Sequence, residues 1–179
     1  MERLSSKETK SNESIGWVRY GQPSLILGER VDEINRFFES DKFTWTANPK
    51  FGFSLFSTSY MRLYALMNHR TGVMKGPLSK AAVENFEKEM WKVAKANSKL
   101  VEAKRGVWDM EGSENHHLSS KSCDMLAAQF LRNLPAYADQ KLDDGSSLAQ
   151  QYEVRHAYFL KWFDERAKRE ISIPKMRPT

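Results

Sequence analysis

The 179 residues are 40% hydrophobic and 28% charged, with a net charge of +5 and one cysteine, Cys123. That length suits one domain with a sizeable core, and a lone cysteine excludes an intramolecular disulfide or a multi-cysteine zinc site. Lys80, Lys88, Lys92 and Lys95 interleave with Glu84, Glu87 and Glu89 as on a solvated helix face. No nucleic-acid motif accompanies them, so no nucleic-acid partner is expected. The first residues lack a signal-peptide apolar stretch, and no run reaches the length of a membrane span. No membrane partner is expected, and as written the chain reads as cytoplasmic.

Residues 1–22 are polar and aperiodic, and read as a loose arm. Pro23-Ser24 opens a first helix, with Leu27, Val31, Ile34, Phe37 and Phe38 on its apolar side. Residues 41–52 form a loop marked by Trp45, Asn48 and Pro49. Residues 53–69 form a second helix. Its stripe of Phe53, Phe56, Tyr60, Leu63, Tyr64 and Met67 is wide enough for an inner position. Ser79 caps a third helix carrying Val83, Phe86, Met90 and Val93. Residues 100–112 form a long connection, and long connections tend to carry function. Ser113 then caps a fourth helix, with Leu118, Ser122, Met125, Leu126, Gln129 and Phe130 on its buried side and Cys123 as a buried thiol. Asn133-Leu-Pro135 ends it. Residues 141–147 turn, and Ser146 or Ser147 caps a fifth helix. Its stripe is Leu148, Tyr152, Phe159, Phe163 and Ala167, widened by Leu160 and Trp162; His156 reads as a core or interface imidazole. Two prolines make residues 171–179 an irregular tail. No run alternates with period two, so the class is all-α: five main helices in a domain spanning 23–170.

The densest chemistry lies in Trp108-Asp-Met-Glu-Gly-Ser-Glu-Asn-His-His117. Asp109, Glu111, Glu114, Asn115, His116 and His117 can together donate, accept and shuttle protons near neutral pH. Two readings stand side by side: a reactive loop, or Asn115 and His116 capping the fourth helix. Glu111 and Glu114 are also a candidate hydrolase pair, which inverting chemistry would hold about 6.5–9.5 Å apart. His116 and His117 point about 100° apart on a helix, so they rarely share an ion. No metal and no cofactor are expected. Trp45, Trp108 and Trp162 suit either packing or stacking on sugar rings.

A set of spaced motifs carries a resemblance. These are Ser59-Tyr-x-Arg-Leu-Tyr64, Trp91-x2-Ala-Lys-Ala-Asn-Ser-Lys99, Gly112-Ser-Glu-Asn-His116, Leu126-Ala-Ala-Gln129, Asp144-Gly-Ser-Ser147, Tyr158-Phe-x2-Trp162 and Arg166-Ala167. Over roughly residues 25–170 the chain resembles uncharacterised bacterial α/α-toroid proteins. These are distantly similar to alginate lyase and heparinase II/III-like polysaccharide lyases. The resemblance implies a partial toroid, an incomplete barrel of antiparallel helical hairpins. Such proteins are usually longer and often exported, so a truncated member is expected, with an apolar flank available for self-association. The implied activity is lyase-like β-elimination on an acidic polysaccharide or oligosaccharide. Asn115 would neutralise the substrate carboxylate, with His116 or His117 as partner or base and Tyr60 or Tyr64 contributing. Trp108, Glu111, Glu114 and Arg62 would bind substrate. The alternatives are a non-catalytic helical fragment or interaction module that keeps only the scaffold, and a glycoside hydrolase.

Overall fold

The computed structural model describes residues 21–41, 43, 57–68, 76–100, 106–109 and 113–170. The described residues are all-helical apart from turns and one isolated bridge between Lys141 and Ser147. The main helices are α1 (Val31–Glu39), α2 (Ser57–Met67), α3 (Lys80–Ala96), α4 (Glu114–Leu131) and α5 (Leu148–Glu170). No described helix is long and apolar enough to cross a membrane. The expected arm at 1–20, the tail at 171–179 and the loop containing Trp45 lie outside the described residues.

The first helix expected from the sequence is two pieces. Residues 21–27 are helical, and α1 starts afresh at Val31. Between them Gly28 takes φ 71° and Arg30 takes φ 53°, a left-handed step that ends one helix and redirects the chain. Helix also begins before Pro23, because a proline in the first turn loses no needed hydrogen bond. Leu27 is therefore exposed, while Ile34, Phe37 and Phe38 are buried.

Ser79 caps α3 as its position predicts: its Oγ accepts from the Ala82 N–H at 3.1 Å. Asn35 on α1 clamps the approach to this cap. Its Nδ2 donates to the Pro77 carbonyl at 2.9 Å, and its Oδ1 accepts from the Ser79 N–H at 2.9 Å. Both polar ends of one amide thus join α1 to the start of α3. Behind the clamp, the rings of Phe38, Phe43, Tyr60 and Phe86 meet with centroids 4.7–6.4 Å apart. This aromatic knot anchors the main core, which continues through Met67, Met90, Val93, Ala127 and Leu131 to Leu148.

α4 is the central helix and packs against α2, α3 and α5. Its most buried residues are His117, Cys123, Asp124, Ala127, Ala128 and Leu131. The side expected from apolar spacing, Leu118 through Phe130, is only half-buried. The buried residues form one stripe on a different side of the helix, a side that includes His117 and Asp124, which apolar spacing counts as polar. α5 shows a related shift. Leu148, Gln151, Arg155, Phe159 and Trp162 face inward, while Leu160 and Phe163 are each 60% exposed and Ala167 is exposed. The sequence pattern counts Gln151 and Arg155 as polar and so rotates the expected stripe toward the outer face.

Ser147 decides the open choice of cap for α5. Its Oγ accepts from the Gln150 N–H at 3.1 Å, and Gln150 Oε1 accepts from the Ser147 N–H at 2.9 Å, a reciprocal capping box. Ser146 instead donates its hydroxyl to Asp144, in a turn that needs the positive φ of 78° at Gly145.

Candidate functional site

α4 and α5 form an antiparallel hairpin crossed by polar rungs. In order these are Glu114–Arg166, His117–Tyr158, Asp124–Arg155 and Arg132–Glu153. The residue numbers rise on one helix as they fall on the other, as antiparallel packing requires. The first two rungs lie at the end where the stretch around Trp108 arrives, and there the candidate site assembles.

Residues 106–109 close a tight turn. The Asp109 N–H donates to the Gly106 carbonyl at 3.0 Å, and Asp109 Oδ2 accepts from the Gly106 N–H at 3.0 Å. A Cβ on Gly106 would stand 2.8 Å from that carboxylate oxygen, so the turn favours glycine. Val107 is buried, and Trp108 is presented at the surface with 40% exposure. On α5, Tyr158, Trp162 and Arg166 recur every four residues along one side of the helix. The Arg166 guanidinium carbon lies 4.1 Å from the centre of the Trp108 ring and 4.0 Å from that of Trp162. Its Nε donates to Glu114 Oε1 at 2.6 Å and its Nη1 to the Val107 carbonyl at 3.3 Å. Arg169 adds a second guanidinium 3.8 Å from the Trp108 ring. Cationic groups therefore meet this indole where a sugar ring was expected to stack.

Beside this cluster, His117 Nε2 and the Tyr158 hydroxyl share a 2.8 Å hydrogen bond. Burial pushes the Tyr158 phenol above its ordinary value; Arg166 pulls it down and Asp109 adds to the rise. The phenol stays protonated at neutral pH, and its bond to an imidazole gives a proton a path between the two side chains. Trp162 is buried, and among the described residues its Nε1–H has no hydrogen-bond partner.

The structure thus brings Trp108 and Glu114 onto Arg166 and His117 onto Tyr158 of the same helix, while Asn115, His116 and Tyr60 make other contacts. Asn115 and His116 are exposed at the helix start and bonded locally. Asn115 Oδ1 accepts from the Ser113 hydroxyl at 2.5 Å and from the His116 N–H at 3.0 Å, while His116 Nδ1 meets Ser113 Oγ at 2.9 Å. Ser113 is the N-cap residue, but its hydroxyl serves these side chains and makes no cap bond to the backbone. Asn115 and His117 stand about 200° apart around α4, so the two point away from each other. Tyr60 is buried in the aromatic knot between α1 and α3. Arg62 is exposed on α2, and Glu111 lies outside the described residues.

Tyr158, Arg166, Asp124 and Arg155 were missing from the expected site. Tyr158 and Arg166 share the four-residue spacing with Trp162, which the sequence does display. Asp124 and Arg155 are isolated charges inside otherwise buried helix faces, a pattern that calls for a partner. The hollow lined by Ala94, Asn97, Asp124, Ala128, Leu142, Gln151 and Arg155 has no room for a water molecule, so this second polar cluster is closed. His156 stacks on Tyr152 with ring centres 5.3 Å apart, and Cys123 is buried. Among the described residues no group of three or more His, Cys, Asp or Glu side chains is placed to hold a metal ion. Comparisons with family models, curated proteins and solved structures find no match to this chain.

Proposed function

We propose that the chain is a toroid-like carbohydrate-active domain, lyase-like in its chemistry, that handles an acidic polysaccharide at the Trp108–Tyr158 end of the α4–α5 hairpin. The observation that carries the reading is the His117–Tyr158 hydrogen bond beside a guanidinium held by two indoles. β-Elimination from a uronic acid needs three things: positive charge for the carboxylate, a group to take the adjacent proton, and an acid for the leaving oxygen. Arg166 supplies the charge. As the Tyr158 oxygen takes the adjacent proton, its own hydroxyl proton passes to His117 Nε2; Tyr158 then protonates the leaving oxygen and recovers a proton from His117. The lyase assignment and the toroid architecture rest on the motif resemblance; the assignment of roles rests on this geometry.

The test is ultraviolet absorbance of unsaturated uronate product on a panel of acidic polysaccharides. The parent is expected to generate product. Tyr158→Phe and His117→Ala are each expected to lower the rate by about 10²–10⁴. A folded parent that yields no product refutes the reading.

A second reading, a non-catalytic helical module, has its own support. The same four rungs serve as a clamp between two helices, and Glu114 already neutralises Arg166. The hydrolase alternative gains nothing specific, since Glu111 lies outside the described residues and Glu114 is engaged.

A further inference from the structure

We infer that Arg166 is a seat for a ligand carboxylate, and that Glu114 occupies that seat as an exchangeable placeholder in the unliganded protein. This deepens the reading above and rests on it for the substrate class, the carboxylate of an acidic saccharide.

Arg166 does not depend on Glu114 for its position. The two indoles hold the guanidinium from their ring centres at 4.1 and 4.0 Å, and the Val107 carbonyl takes one of its N–H groups. Its side chain is only 14% exposed, whereas that of Glu114 is 49% exposed. The fixed partner is therefore the cation, and the loose partner is the anion. A guanidinium forms strong charge-assisted bonds to a carboxylate, and Glu114 already takes one from its Nε at 2.6 Å. Glu114 also stands in the first turn of α4, where the helix dipole favours negative charge. An incoming carboxylate would inherit both attractions, with Arg169 adding positive charge on the Trp108 side.

Isothermal titration calorimetry on the full chain tests this. The probes are an oligogalacturonate, a neutral malto-oligosaccharide and a polyglutamate peptide. Glu114→Gln keeps the shape of the side chain and vacates the charge. It is expected to tighten oligogalacturonate binding about fivefold, the scale of losing one half-exposed ionic competitor. Arg166→Gln is expected to abolish binding, and the neutral sugar is expected to bind neither protein. Unchanged or weaker binding by Glu114→Gln overturns the inference, as does absence of binding by both proteins. Equal affinity for polyglutamate overturns the saccharide class. Tighter binding without product formation leaves this inference standing and refutes catalysis; product formation with unaltered Glu114→Gln affinity does the reverse.

Discussion

Asp124→Ala is expected to be among the most destabilising single changes in this protein. The Asp124 and Arg155 side chains are only 6% and 5% exposed, so solvent screens their attraction little. Asp124 Oδ2 accepts from Arg155 Nη1 at 3.0 Å, and its Oδ1 accepts from Asn97 Nδ2 at 3.0 Å. Arg155 also donates to Gln151 Oε1 at 3.0 Å and to the Asn97 carbonyl at the end of α3. Gln151 carries the chain on to Ser98 and Ser146, and Asp144 receives the Leu100 N–H. Removing the carboxylate leaves a buried guanidinium without its counter-charge, a loss of about 3–5 kcal/mol. For a chain of this size each kcal/mol lowers the melting temperature by about 2–4 °C, so a fall of about 6–20 °C is expected. Urea unfolding followed by far-ultraviolet circular dichroism and tryptophan fluorescence gives the free energy. The double variant Asp124→Ala/Arg155→Met removes the stranded charge as well, and is expected to recover about 1 kcal/mol or more relative to the worse single change. A loss below about 1 kcal/mol for Asp124→Ala, or a double variant as unstable as the sum of the singles, refutes the reasoning.

Two further expectations follow from local features. Ser147→Ala removes one half of the α5 capping box and is expected to cost about 1 kcal/mol in the same urea assay; Ser147→Thr is expected to keep most of it, and equal losses refute the cap. Tyr158 sets an alkaline limit. Its phenol has a raised pKa in the folded protein relative to 10.0, so the unfolded chain releases that proton first as pH rises. Stability from this group is complete below about pH 10 and is lost as pH climbs through the raised value. Melting temperatures taken from pH 9 to 11 are expected to fall more steeply for the parent than for Tyr158→Phe, and parallel curves refute the assignment.

Much of the fold can be read without coordinates. Ser79 and the Ser146-Ser147 pair announce helix starts because a hydroxyl in front of an apolar repeat satisfies an otherwise orphaned N–H. Phe86, Met90 and Val93 repeat with helical period and are buried where that period puts them. That a helix starts after Ser113, within the Trp108–His117 stretch, was also legible. The internal assignment of that stretch was not. Chain neighbours such as Asn115 and His117 look equivalent in sequence, yet helical geometry sends one toward solvent and the other to Tyr158.

Sequence by itself determined the helical class and the starts of α3, α4 and α5 near their serines, because these depend on hydrogen bonds and periodicity within a few residues. Tertiary structure alone decided which face of α4 and α5 is inside. Burial of Asp124 and Arg155 costs desolvation that their pairing, 31 residues apart in the chain, offsets, and a linear pattern scores both of them, and Gln151, as surface. Non-local pairing likewise set Trp108 against Arg166 and His117 against Tyr158, while Asn115 and His116 bond within their own turn.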